Sequence, residues 1–332
     1  MSSIREISDT GAPSRSRLPT AIMRRFLTLS LDEAKFTKRG FRASDPARQA
    51  ALESIGETFL RGYNAALNGN EPNDILPLVL AMPPSRRGFA AEGAAMGFAI
   101  ADALPFAQPR LAGYLNAAQG HFAYLVHVGV GWAMARLPWR RGALLAQLDP
   151  LLRWLAFDGM GFHDTYFSFP RVRSGWRRQD SGYAARAYDQ GVGRALWFVS
   201  GGAADHAARL VADFPSLRQA DLWSGLGLAM TYTDLCNAQD IAMVCRNARA
   251  LSVHLAQGAA FACEAHALAR DIPAHVDTVA RELTGQDAAA LSTLVREARA
   301  RLPASDDAEA PAYEIWRRNV AAAMAPLVEQ RS

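Results

Sequence analysis

The chain has 332 residues, 50% hydrophobic and 20% charged, with a formal net charge of +4. That composition supports a sizeable core and excludes an intrinsically disordered chain, and the length allows two average domains or one large repeat domain. Much of the positive charge lies in the first fifty residues, from Arg15 and Arg17 to Arg42 and Arg48. It reads as a solvated basic arm, because no basic run interleaves with aromatics as nucleic-acid binding requires.

The polar start lacks the apolar stretch of a signal peptide, and residues 1–19 read as a disordered arm. The segment Asp45–Leu67 is a strong helix, with Asp45 able to cap and Pro46 suited to the first turn. A turn-rich break over Asn68–Asp74 leads to a short helix ending at Pro83–Pro84. A repeat region follows, over roughly residues 87–285, inside a single helical domain spanning 20–302. Its clearest unit pairs Tyr183–Ser200 with Ala203–Phe214 across a Gly201–Gly202 turn. The stretch after Phe162, through Gly182, carries Pro170 and Gly175 and is expected to be a long loop. Residues 303–332 read as a polar linker and a last helix near Tyr313–Glu329.

The repeat rests on six glycines, Gly93, Gly129, Gly159, Gly191, Gly225 and Gly258, at steps of 36, 30, 32, 34 and 33 residues. Each is followed two places on by another small residue. This period predicts an all-α fold of stacked helical hairpins, an α-solenoid or α/α-toroid. A glycine inside a helix costs about 1 kcal/mol relative to alanine, so its recurrence needs a reason. Close helix packing supplies one, with the two small residues on opposite faces. A phosphate-cradling loop would need a strand before each pair, and no strand pattern occurs.

The residues just before these glycines are Glu92, Val128, Asp158, Gln190, Ser224 and Gln257, five of them polar in otherwise apolar helices. If the helices align, these side chains converge on the concave face as a polar floor. Glu92, Asp158 and His127 are then candidate acids or bases, unless they are bonded to arginines such as Arg194 or Arg186. A second candidate is Phe157–Phe169, where Asp158, His163, Asp164 and Tyr166 sit among phenylalanines. The candidate catalytic set is therefore Glu92, His127, Asp158, His163 and Asp164. Tyr166, Asp189, Gln190, Arg194, Trp197 and Trp223 are the candidate substrate-binding residues.

Neither His-x-x-x-His nor Glu-x-x-His accompanies these histidines, so no metal and no cofactor is expected. Cys236, Cys245 and Cys263 form no zinc or redox motif and suit a reducing, cytoplasmic compartment. The apolar runs are interrupted before about twenty residues, so no membrane span is expected. The Trp223–Gly227 segment copies the opening of a tetratricopeptide repeat without its later positions.

Several blocks together resemble a known family: Arg24–Leu27, Phe36–Phe41, Arg87–Gly97, Asp149–Phe162 with His163, Tyr188–Trp197 and Ala220–Gly227. They are similar to a bacterial domain-of-unknown-function family commonly named for enediyne biosynthesis and associated with polyketide gene clusters. The resemblance covers roughly Arg24 to Ala262 and implies an accessory role in specialised metabolism. The expected ligand is an apolar polyene or isoprenoid-like intermediate, free or carrier-bound, with acid–base isomerisation or cyclisation as the chemistry. The alternative is a non-catalytic repeat scaffold that binds another biosynthetic protein. Neither reading involves nucleic acid.

Overall fold

The Asp45 carboxylate accepts hydrogen bonds from the backbone N–H of Ala47 and Arg48, so the first long helix, α1 (Pro46–Leu67), starts where its capping residue places it. In a computed structural model, which describes residues 24–41, 43, 45–178, 181–303 and 310–331, eight further helices organise the chain. They are α2 (Pro84–Ala101), α3 (Leu111–Arg136), α4 (Trp154–Arg173), α5 (Gly182–Val199), α6 (Ser216–Tyr232), α7 (Ser252–Leu268), α8 (Ala288–Ala300) and α9 (Ala312–Glu329). Shorter helices run between them, and no strand occurs among the described residues. The arm read over residues 1–19 lies outside them.

Two layers result. Helices α1 to α7 each pack on the next and form the inner layer, and Ala204–Ala212, Ala238–Ala248 and Ala274–Thr284 pack on one another outside it. Sequence decides the layer. The inner helices are buried almost all round, with every residue from Gly88 to Ala101 of α2 buried, whereas the outer ones are amphipathic with a charged free face. Inner neighbours run parallel. Trp154 meets Tyr183 near the starts of α4 and α5 at 5.0 Å between ring centroids, and Phe162 meets Phe198 further along at 5.2 Å. The row curls on itself. Helix α7 touches α3, Tyr232 of α6 packs edge-on against Phe89 of α2 at 5.3 Å, and Arg48 of α1 bonds the Gly202 carbonyl and Asp240.

The glycines are the seams of this layer. A methyl group on Gly93, Gly129, Gly159, Gly191, Gly225 or Gly258 would lie 1.8–2.1 Å from a backbone carbonyl oxygen of the preceding inner helix. From Gly129 onward that carbonyl belongs to the residue just before the previous unit's glycine: Glu92, Val128, Asp158, Gln190, Ser224. The second glycines face the other way. Gly131, Gly161, Gly193 and Gly227 stand equally close to a carbonyl of the following helix. Backbones approached from both sides leave no room for a side chain, which is the packing role the spacing implies. Helix α1 belongs to the same series, with Gly62 against the Ala90 carbonyl and Leu60 where the first glycine would stand.

Two expectations change. The stretch after Phe162 is not a long loop: α4 continues to Arg173, bending at Ser168 (φ −146°, ψ 41°). That bend lies two residues before Pro170, whose ring and missing N–H break the regular ladder. Helix α3 bends likewise at Phe122 (φ −133°, ψ 26°), so one continuous helix supplies an outer half and an inner half. The C-terminal helix α9, set apart in the sequence reading, packs on α7 and α8.

Candidate functional site

Because each first glycine lies on a seam between helices, the residue before it is turned toward the inside of the curl. Three residues after the glycine, one helical turn from that position, the chain returns to the same face. Those positions are Met96, Trp132, Phe162, Arg194, Leu228 and Phe261, and every one lines one of two apolar chambers in the middle of the molecule. Glu92 lines the first chamber, and Val128, Asp158 and Gln190 line the second. The chambers meet at Phe89, Phe162, Arg194 and Phe198, which border both.

The first chamber lies between α1, α2, α3, α4, α5 and residues 29–34, with Phe59, Trp132 and Tyr166 in its wall. The second is bounded by α3 to α7 and α9, with Tyr124, Tyr232, Tyr313 and Trp316. They hold about 590 and 690 Å³ of space between atoms, adjoining solvent included, yet the centre of a water-sized sphere has only about 50 Å³ to move in within each. Such a space is narrow.

At the junction one guanidinium serves two carboxyl groups. Arg194 Nη1 donates to Asp158 Oδ1, and Nη2 lies 3.8 Å from Glu92 Oε2. Trp132 Nε1 donates to Glu92 Oε1 at 2.9 Å. All three charged residues are buried. Burial pushes the Glu92 carboxyl up to about 7, a rise that the Arg194 charge and the Trp132 bond only partly offset. Burial also raises the Asp158 pKa, again against Arg194. Desolvation opposes the Arg194 charge, but the two carboxylates outweigh it and lift its pKa. Glu92 Oε2, Asp158 Oδ2 and Gln190 Oε1 are buried without a hydrogen-bond partner among the described residues.

The other candidates stand elsewhere. Tyr166 lines the first chamber. His127 is bonded away, its Nδ1 2.6 Å from the Ala123 carbonyl and its Nε2 accepting from the Asp149 N–H. His163 pairs with Asp164 at 3.1 Å and accepts from Arg136, and burial holds its pKa below the usual histidine range. Asp164 is clamped by Arg178 at 2.7 and 2.9 Å and by the Tyr188 hydroxyl. Asp189 is held by Arg218 and Arg177. These two acids fasten Arg177 and Arg178, just past α4, to α4 and α5, a structural task. Trp197 donates to Thr233 Oγ1, and it and the buried Trp223 line neither chamber. Of the candidate set, Glu92, Asp158, Gln190 and Arg194 are brought together, with Tyr166 close by.

Trp132, Phe162 and Phe198 were not singled out from the sequence. Their signal is periodic: the third and seventh places after the first glycine face inward, giving Arg136, Tyr166, Phe198, Tyr232 and Ala265 at the seventh place from the second unit on. Among the described residues no three His, Cys, Asp or Glu side chains are grouped to hold a metal ion, and no helix is long and apolar enough to cross a membrane.

A family profile described as "Protein of unknown function (DUF1702)" matches residues 19–324. No curated protein and no solved structure matches the chain.

Proposed function

The chain belongs to the DUF1702 family, and we propose that it binds a thin apolar chain across both chambers and moves a proton on it with Glu92. The observation that supports this is the single guanidinium of Arg194 between two buried carboxyl groups, at the point where two aromatic-walled chambers meet. A mostly apolar pocket with a few convergent polar groups is the usual form of a small-molecule site.

A buried carboxyl raised to about 7 beside a fixed guanidinium suits proton transfer next to a carbonyl. The Glu92 carboxylate takes a proton from the carbon between a C=C and a C=O. The C–H electron pair forms a new C=C, and the displaced carbonyl π pair becomes an oxyanion held by Arg194. Return of the same proton from the Glu92 carboxyl to the far carbon leaves the double bond shifted, with no co-reactant. The ligand class, an unsaturated polyketide-like chain in a specialised-metabolite pathway, is supported by the sequence blocks from Arg24 to Gly227. Against a scaffold role, the inner face that would meet a partner is occupied by the chambers' own walls.

The test uses a long-chain β,γ-unsaturated ketone and follows the conjugated product by its ultraviolet absorbance. The protein is expected to catalyse the shift, with a rate that rises to half its maximum near pH 7. Glu92→Gln should lower the rate by about 10²–10⁴-fold while still binding a fluorescent polyene fatty acid. An unaltered rate in a folded Glu92→Gln protein would sink the proposal.

A further inference from the structure

Two acceptors in the wall of the second chamber are left unmet by the protein itself. Other polar groups of that wall are satisfied: Tyr124 donates to Glu264, and Thr233 Oγ1 donates to the Ala229 carbonyl and accepts from Trp197. Asp158 and Gln190 differ. Each is 1% exposed, and Asp158 Oδ2 and Gln190 Oε1 have no hydrogen-bond partner among the described residues. Tyr232 and Tyr313 line the same chamber but bond neither atom. A buried acceptor without a donor has lost its hydration and regained nothing, so folded chains seldom keep one unless something else satisfies it.

Helix packing sets these two side chains side by side. They hold the same place in successive units, one residue before Gly159 and Gly191. Gly191 presses on the Asp158 carbonyl, so α4 and α5 approach most closely beside the pair. Gln257, at the same place in the last unit, makes the contrast. It is equally buried, but its amide donates to the Arg317 carbonyl and accepts from the Arg317 guanidinium. The fold can bond a glutamine at this place, and it leaves the Gln190 oxygen unbonded.

The free atoms select the ligand group. Asp158 Oδ1 accepts from Arg194 Nη1, which leaves Oδ2 as a carboxylate oxygen that only a donor can fill. Methylene and alkene carbons offer no donor, and a ketone or ester oxygen would be repelled. An ammonium group would bring a second cation beside the buried Arg194. A hydroxyl donates its proton to Oδ2 and keeps lone pairs for the Gln190 amide, whose one rotatable group carries donors as well as an acceptor.

We propose that Asp158 and Gln190 form a hydroxyl-recognition site, and that the ligand of the chambers is a hydroxylated chain whose hydroxyl lies on the second-chamber side of Arg194. The direction follows from the guanidinium. Its Nη2 faces Glu92, which lines the first chamber, and its Nη1 faces Asp158, which lines the second. The assignment rests on the chambers being the site of an apolar chain, and not on the proton step at Glu92.

The test displaces a fluorescent polyene fatty acid from the full chain with methyl hexadecanoate and with its monohydroxy isomers, the hydroxyl stepped along the chain. These chains are saturated, so no double-bond shift enters the measurement. At least one isomer is expected to bind about tenfold or more tighter than the unsubstituted ester, which leaves both acceptors unpaired. The keto ester oxygenated at the same carbon keeps the size but not the donor, and should fall back to the affinity of the unsubstituted ester or below. Gln190→Leu should reduce the hydroxyl preference to less than about threefold. Its melting temperature should be no lower, since the Gln190 oxygen bonds nothing in the protein; a marked fall would make Gln190 a structural residue and overturn the assignment. No displacement by any ester would remove the apolar-chain site and this assignment together. Displacement by the unsubstituted ester with no isomer tighter would remove the assignment alone, the outcome expected if a trapped water satisfied both acceptors. A keto ester as tight as the best isomer, or a preference undiminished in Gln190→Leu, also overturns it.

Discussion

Gly191 stands so close to Asp158 that a methyl group on it would lie 1.8 Å from the Asp158 carbonyl oxygen and 2.6 Å from its carbonyl carbon. This contact joins the two themes of the molecule, since the backbone of Asp158 packs α5 while its side chain holds Arg194 inside. The seam that stacks the helices also aims the chamber residues.

Gly191→Ala should therefore destabilise the protein by about 1–3 kcal/mol or more, because rigid backbone on both sides must give way. Gly120→Ala makes the contrast. Gly120 lies in α3 with nothing within 4 Å of the added methyl, so the helix preference for alanine should stabilise by up to about 1 kcal/mol. Urea denaturation midpoints check both, and a neutral Gly191→Ala would contradict the seam.

Two buried groups oppose each other in pH. The Glu92 carboxyl moves from 4.5 to about 7 on folding, so the folded state holds its proton more tightly than the unfolded chain. Its contribution is full below about pH 4.5 and is lost as pH rises toward 7, about 3 kcal/mol in all. His266, buried and stacked on Tyr232 at 4.3 Å, falls from 6.5 to about 4. Its contribution is full above pH 6.5 and is lost as pH falls through 4, again about 3 kcal/mol. The two nearly cancel between about pH 4.5 and 6.5. Glu92→Gln should expose a stability that climbs from pH 4 to 6.5, and His266→Phe one that declines from pH 4.5 to 7. Parallel pH profiles for the two variants would refute the assignment.

Arg317 is the tether of the last helix. It is 2% exposed, bonds Asp221 at 2.8 Å and Gln257 at 3.4 Å, and lies 3.8 Å from Glu314. Arg186, bonded to both acids, is the other cation of the cluster from the inner layer. Arg317→Met should cost about 3–5 kcal/mol, since buried carboxylates lose a partner. Limited proteolysis should then cut before residue 312 sooner than anywhere else in the helical layers; a cut elsewhere first would show that α9 is held by other contacts.

The repeat was readable because its signal is local. A glycine at steps of 30–36 residues, with a second small residue two places on, reports a backbone approached from both faces, whatever its partners are. The return helices were readable for the same reason, as in Ala274–Thr284, which ends on Gly285 in the left-handed region at φ 72°. Helix α1 escaped because Leu60 replaces the first glycine, although Gly62 stands 33 residues before Ala95. The run after Phe162 misled because Pro170 and Gly175 look alike in a loop and in a helix that bends and continues.

The chain's order of residues by itself determined two layers of helices and which side of each inner helix is small, since periodicity and side-chain size are properties of neighbouring residues. Tertiary structure decided which acids border the chambers and which only fasten helices. Asp164 and Asp189 meet arginines 14 and 29 residues away that tie segments together, whereas Asp158 meets Arg194, 36 residues on, beside an apolar space. A carboxyl group's role follows from the charge and the water around it, and those are supplied by distant parts of the chain only once the row of helices has closed.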